Sequence, residues 1–145
     1  MKQIIRHYSA GAVATVNADG SPSVSPKATF VIVDDHCIAY GDIRSPGTRA
    51  NLLERPAVEV NFIDVLARLA VRVRGSAQVI ARESEAGRQL QVHFEEPWGA
   101  YLERMSDFVC ISIEQTELIS SPAYDVGLTR AELVSTNLEK LTKLA

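Results

Sequence analysis

The sequence predicts a mainly β chain with flanking helices, in which six strands in largely antiparallel order make a small closed or split β-barrel. Three observations carry that expectation. Three strand-like runs succeed one another between residues 11 and 42 with only turns between them, which favours an antiparallel meander. The stretch 67–81, ARLAVRVRGSAQVIA, alternates apolar and charged positions, the period-two mark of a strand with one buried face. A last alternating run, 106–120, follows a helical excursion.

The first strand is GAVATVN, residues 11–17, rich in β-branched side chains, and ADGSP after it carries the Asp-Gly signal of a tight hairpin turn. The second arm, SVSPKATFVIV (23–33), reaches a second turn at DDH, and CIAYGD (37–42) forms the third strand. Pro26 has no N–H for a ladder, so it marks an edge or a bulge. Ser45 reads as an N-cap, Pro46 as the first helical residue, and TRANLLER as about two turns ended by Pro56, with Leu52 and Leu53 as buried anchors. The fourth strand, AVEVNFID (57–64), alternates Val58, Val60 and Phe62 against Glu59, Asn61 and Ile63. In the fifth, Leu69, Val71 and Val73 point one way, and Arg68, Arg72 and Arg74 form a basic stripe that could face solvent, a partner subunit or a cofactor phosphate. From Arg82 to about Met105 the pattern predicts two helices broken near Pro97, with Leu90, Phe94 and Leu102 on the apolar side. SDFVCISIEQTELIS (106–120) makes the sixth strand, with Phe108 and Cys110, and further along Ile111 and Ile113, as candidates for the core. The tail shows a stripe of Leu133, Leu138 and Leu141 that could cover the barrel or pair two subunits.

At 145 residues with 46% apolar side chains, the chain suits one domain spanning 1–145 with a real core. A net charge of −3 provides no general attraction to nucleic acid or to an anionic membrane, so anion binding has to come from a local cluster. No apolar run reaches the roughly 18 residues of a membrane span, and MKQIIRHYSAG lacks the apolar core of a signal peptide, so a cytoplasmic location is expected. Cys37 and Cys110 form no CxxC and sit in apolar runs, which suits reduced, buried thiols better than a disulfide or a zinc site. Glu95 and Glu96 beside His93 diverge around a helix axis. No metal site is expected.

The stretch YGDIRSPGTRANLLERP (40–56) gathers cations, hydroxyls and a glycine at a helix start. Such a terminus offers unpaired N–H groups and the positive end of the helix dipole to an anion such as a phosphate. Arg44, Ser45, Thr48 and Arg49 are the side chains that anion would want; the plainer reading is a capped surface helix with solvated arginines. Lys27 joins the same place if the second and third strands pair through the turn at Asp34. Tyr40, His36 and Asp42 are candidate proton donors, and no catalytic residue is assigned.

In chain order, DGSP at the first turn, SPKATF on the second strand, GDIRSPGTRANLLERPAVEV over the third strand and its helix, and VRVRGSA on the fifth strand resemble the flavin-binding split-barrel proteins, the pyridoxamine 5′-phosphate oxidase-like superfamily. The resemblance covers roughly residues 10–80, and the remainder matches in layout. It implies a homodimer that binds two FMN molecules at the subunit interface and acts on a small-molecule substrate. By position, Ser25, Pro26, Lys27, Ala28 and Thr29 would run along the flavin ring, with Lys27 near the ring or the phosphate. Asp42 and Ile43 would lie at the ring end, and Arg44, Ser45, Thr48, Arg49 and Asn51 in the phosphate-binding segment. Trp98 could stack on the partner subunit's flavin or pack against its own core. The Arg-rich second-strand motif of true pyridoxamine phosphate oxidases is replaced here by SVSPKATF, and their substrate-binding C-terminal segment has no counterpart in EQTELISSPAYDVGLTRAEL. Pyridoxamine phosphate is therefore not the expected substrate. Sister groups use the deazaflavin F420, whose phosphate would accept the same cations. A dimeric flavin or haem carrier without turnover is the rival from another class, although His7, His36 and His93 stand in no obvious axial-ligand context.

Overall fold

The computed structural model describes residues 1–145. A short helix α1 (Lys2–Tyr8) precedes the hairpin β1 (Gly11–Val16) and β2 (Pro22–Lys27), and β3 (Phe30–Ile32) and β4 (Cys37–Asp42) form a second hairpin. Helix α2 (Pro46–Glu54) leads to β5 (Ala57–Asp64) and the long β6 (Leu69–Ala81); α3 (Glu85–Trp98) and a 3-10 turn (Gly99–Arg104) lead to β7 (Asp107–Ser120), and α4 (Arg130–Leu144) ends the chain. All ladders are antiparallel, in the order β2-β1-β5-β6-β7-β4-β3.

The expected barrel is present with seven strands rather than six. The run 23–33, expected as one strand in a meander, breaks at Ala28-Thr29, and its two halves lie at the two edges of the sheet. Flat, those edges would stand about 29 Å apart at roughly 4.8 Å per strand. The three links from Lys27 to Phe30 span at most about 11 Å. The sheet must therefore curl until its edges meet, and Ala28-Thr29 is the corner where they do. Pro26 lies on an edge strand, facing Ala12, where a missing N–H is tolerated.

Alternation places the core. Val13, Ile38, Tyr40, Val60, Phe62, Val71, Val73 and Ile111 fill the inside of the curl, with the Phe30 and Phe62 rings edge to face at 4.7 Å. On the outer side of β3, β4 and β7 a smaller cluster of Val31, Ala39, Phe94, Met105 and Phe108 seats α3, its Phe94 and Phe108 rings stacked at 4.5 Å. Leu90 and Leu102 pack against it as expected, but Pro97 lies within the last turn of α3 and the helix gives way at Gly99. Cys37 and Cys110 are free and only half-buried. At Gly75 the β6–β7 register shifts by one residue, and a Cβ there would fall 2.0 Å from the Ser112 carbonyl oxygen, so only glycine lets the strands approach.

Several surface expectations change. Leu52 is buried but Leu53 is 55% exposed, because a two-turn helix turns only one of two adjacent side chains inward. Arg72 pairs with Glu59 at 3.1 Å and Glu117 at 3.2 Å, and Arg74 with Glu59 at 3.4 Å, so the basic stripe is neutralised by carboxylates of the neighbouring strands. Arg68 sits in the β5–β6 turn with φ 55 and reaches Asn137. Of the tail's leucine stripe, Leu133 is buried while Leu138 and Leu141 are exposed. At the end of β5, Asp64 Oδ1 accepts the Tyr8 hydroxyl at 2.7 Å and the Leu66 and Ala67 N–H groups at 3.1 and 2.8 Å, and Arg130 lies 3.6 Å from Oδ2. No helix is long and apolar enough to cross a membrane.

Candidate functional site

The corner that closes the sheet is also where the site lies. Thr29 is buried, and its hydroxyl donates to the Gly41 carbonyl at 2.7 Å while accepting the Gly41 N–H at 3.1 Å. This reciprocal pair replaces ladder bonds at a break in the strand and fastens the corner to the end of β4. A Cβ at Gly41 would come within 2.2 Å of the Met105 sulfur, so the glycine lets the end of the 3-10 segment pack on β4. The Ser106 N–H donates to the Asp42 carbonyl at 3.0 Å, which fixes the end of that segment beside the corner. An open cleft of about 500 Å³ results, lined by Pro26, Lys27, Ala28 and Thr29 from the corner, by Gly41 to Ser45 after β4, and by Arg104.

The charge in this cleft is unbalanced. Lys27, Arg44 and Arg104 contribute three cations, none of them in an ion pair, against the single carboxylate of Asp42. The Lys27 ammonium donates to the Ser25 hydroxyl and, at 3.4 Å, to the Pro26 carbonyl. Burial lowers its pKa from the usual lysine value, with Asp42 working the other way; an anion placed beside it would relieve the desolvation. Asp42, 4% exposed, accepts a hydrogen bond from the Ser45 hydroxyl. Ser45 thus occupies the N-cap position of α2 without its side chain capping the helix. Pro46 has no N–H, and the next two N–H groups, of Gly47 and Thr48, precede the first intrahelical donor, Arg49, whose N–H reaches the Ser45 carbonyl at 2.9 Å. Donors for an anion remain at the helix start.

The structure brings Pro26, Lys27, Ala28, Thr29, Asp42, Ile43, Arg44 and Ser45 together on one cleft. Ser25 stands behind them as the partner of Lys27. Thr48 and Asn51 are buried in α2, where the Asn51 amide donates to Thr15 Oγ1 at 3.0 Å and Asn17 Oδ1 at 2.9 Å and ties the helix to the first hairpin. Arg49 makes a two-pronged contact with buried Asp107, at 3.1 and 3.4 Å, which raises its pKa. Trp98 packs against the outer cluster of its own chain, its indole N–H 3.4 Å from the Phe30 carbonyl. Tyr40 is sealed in the inner core, where burial pushes its hydroxyl pKa up, and His36 is exposed in the β3–β4 turn. Arg104 was missed in the sequence, where it is one of several charges closing a helical stretch; only the Ser106 to Asp42 contact delivers it to the cleft.

A larger groove of about 730 Å³ lies between the β1–β2 hairpin and residues 54–59 and 74–76. Its arginines are already engaged: Arg55 Nε donates to the Val16 carbonyl at 2.9 Å, and Arg74 pairs with Glu59. Its two arginines face three carboxylates, Glu54, Glu59 and Glu114, so it lacks the positive excess of the corner cleft.

A sheet curled until consecutive strands form its two edges, with a cationic cleft at their junction and a short helix starting beside it, defines the split-barrel class. The pyridoxamine 5′-phosphate oxidase family model matches residues 1–120. The chain belongs to the pyridoxamine 5′-phosphate oxidase-like family of split barrels. Among solved structures it is similar to HupZ of Group A Streptococcus, at 24% identity and TM-score 0.70 over 83% of this chain and 92% of that one. It is also similar to an FMN-binding protein of Syntrophomonas wolfei, at 13% identity and TM-score 0.65 over 82% and 83%. An F420 reductase matches at 19% identity and TM-score 0.56 over 74% and 88%. At such identities the likeness is one of fold. No curated protein matches the sequence.

Proposed function

We propose that the protein is a cytoplasmic flavoprotein that acts as one domain, binds FMN in the corner cleft and is completed as a homodimer, working as an oxidoreductase on a small substrate. The observation that carries this reading is the set of unpaired cations, Lys27, Arg44 and Arg104, converging on one cleft beside the donors at the start of α2. A phosphate is the ligand group such a set fits best, since charge-assisted bonds to phosphate are about twice as strong as neutral ones. In this reading Arg44, Ser45, the Gly47 and Thr48 N–H groups and Lys27 hold the phosphate end. The corner backbone from Ser25 to Thr29 and the loop at Asp42-Ile43 border the ring. Arg49, through Asp107, and Asn51, through Thr15 and Asn17, keep the phosphate segment in place. Trp98 holds α3 against the corner by way of Phe30.

Bound flavin supplies the electron transfer itself. The chain's own part is to bind the phosphate, orient the ring along the corner and limit the access of water. Lys27, at the ring or phosphate edge, contributes a positive charge beside the ligand.

F420 is the second reading, favoured by the likeness to a structure named F420 reductase and by the same cationic set. An absorbance spectrum of the purified protein from 300 to 600 nm, followed by titration with FMN and then F420, tests both. Saturable FMN binding with perturbed flavin bands supports the first. Binding of F420 alone supports the second, and binding of neither overturns both. A stable monomer in light scattering would refute the interface site.

A further inference from the structure

In the β4–β7 ladder Ala39 faces Cys110 and Cys37 faces Ser112. Cys37 and Cys110 are therefore diagonal neighbours on one face of the ladder: the intervening Ile38, Val109 and Ile111 point into the inner core, and Ala39 and Phe108 share the outer face with the two thiols. Diagonal neighbours stand about 7–8 Å apart at Cα, and strand twist shortens one of the two diagonals. The Cys37 thiol donates to the Ile38 carbonyl at 3.5 Å, and the two sulfurs lie close enough on this face for each to shift the other's ionisation. Both residues are half-buried rather than sealed, so a small oxidant can reach them.

The pair is not symmetrical. The neighbouring Cys110 sulfur and then burial hold the Cys37 thiol well above the usual range, whereas the neighbouring Cys37 thiol lowers Cys110 against the opposing effects of burial and of Asp34. Cys110 ionises first, and a thiolate is the form of cysteine that attacks an oxidant.

We propose that Cys37 and Cys110 form an oxidisable dithiol that hydrogen peroxide converts into an intramolecular disulfide joining β4 to β7. Cys110 thiolate attacks one peroxide oxygen, the O–O bond breaks, and the released hydroxide leaves as water with the proton that Cys110 gave up. Cys110 is then a sulfenic acid. The Cys37 sulfur attacks the Cys110 sulfur, the S–O bond breaks as the S–S bond forms, and the departing hydroxide takes the Cys37 proton as a second water. Two electrons pass from the sulfurs to the peroxide oxygens. Cys37 lies five residues along β4 from Asp42, about 17 Å at the rise of a strand, so this chemistry needs no ligand in the cleft.

The test is intact-mass measurement on the native full-length protein, treated with peroxide under conditions that fully oxidise free N-acetylcysteine and then alkylated with N-ethylmaleimide in denaturant. The expected result is a loss of about 2 Da, no alkylated thiol, a peptide linking Cys37 to Cys110, and full reversal by dithiothreitol. Cys37→Ser should stop at a dimedone-reactive sulfenic acid on Cys110, and Cys110→Ser should react several-fold more slowly. Two alkylated thiols after treatment, separate oxygen additions without the linked peptide, or a disulfide only between two chains would each overturn the proposal.

Discussion

Asp42 and Asp64 are equally buried, each 4% exposed, and each closes a strand, β4 and β5 respectively. Around Asp64 a tyrosine hydroxyl, two backbone N–H groups and an arginine converge on one carboxylate and use its capacity. Around Asp42 the only side-chain donor is Ser45, and three nearby cations have no anion at ion-pair distance. The contrast separates two uses of buried polarity. A satisfied group knits α1, the β5–β6 turn and α4 together, whereas an unsatisfied set presents itself to something outside the chain.

The largest effect should come from breaking the satisfied side. Asp64→Ala leaves the Tyr8 hydroxyl and two turn N–H groups without their acceptor, and should cost about 2–4 kcal/mol, a fall in Tm of roughly 10 °C, with flavin affinity little changed in the folded protein. Calorimetry and titration together check this. Burial opposes ionisation of Asp64, but the N–H groups of Ala67 and Leu66, the Tyr8 hydroxyl and Arg130 still lower its pKa. Its contribution is therefore complete above the unfolded carboxylate value of about 3.9 and is lost as pH falls through the lower folded value. Denaturation followed from pH 6 to pH 2 should show a shallower acid limb in Asp64→Asn than in the parent. The same contact, with burial as the larger cause, pushes the Tyr8 hydroxyl up to about 12.

On the unsatisfied side, the double change Lys27→Ala and Arg44→Ala should weaken FMN binding by roughly tenfold or more and leave Tm nearly unmoved, because neither cation is in an ion pair. Unchanged affinity would remove both from the phosphate site. Because burial lowers the Lys27 pKa, FMN affinity should begin to fall at a pH below the ordinary lysine value, and Lys27→Ala should abolish that step. The smallest effect, a rise in FMN affinity of about two- to fivefold, is expected from Asp42→Asn, which keeps an acceptor for Ser45 while removing the one negative charge from the cleft. A loss of affinity instead would show that the carboxylate itself meets the ligand.

The strands were legible because β-branched residues and alternation mark them locally: Val58, Val60 and Phe62 lie inside as their spacing says. The corner at Ala28-Thr29 was not, since β-prone residues run on from Ala28 to Val33 with Thr29 the single polar one, and only the closing of the sheet requires a break. The arginine stripe reads as free charge because its partners arrive from other strands, Glu117 lying 45 residues from Arg72. Most of the cleft was readable for the opposite reason: it is made of two short contiguous segments, 26–29 and 42–45, already singled out by a lysine in a strand and a hydroxyl before a proline. Arg104 comes from elsewhere in the chain. The short helix α1 carries no strong periodic signal within its seven residues.

The two-residue corner also sets an order of events. Each hairpin, β1–β2 and β3–β4, closes through a short turn and can form early, but neither positions the other. Their relative placement depends on the β1–β5 and β4–β7 ladders, the latter pairing Asp42 with Asp107, and loops of that length close slowly. The floor of the cleft, where Thr29 meets Gly41, can form with the β3–β4 hairpin, but Arg104 reaches it only once β7 has paired with β4, so a ligand that needs all three cations selects chains that have finished folding. Such a ligand should slow unfolding and raise Tm without speeding the formation of either hairpin.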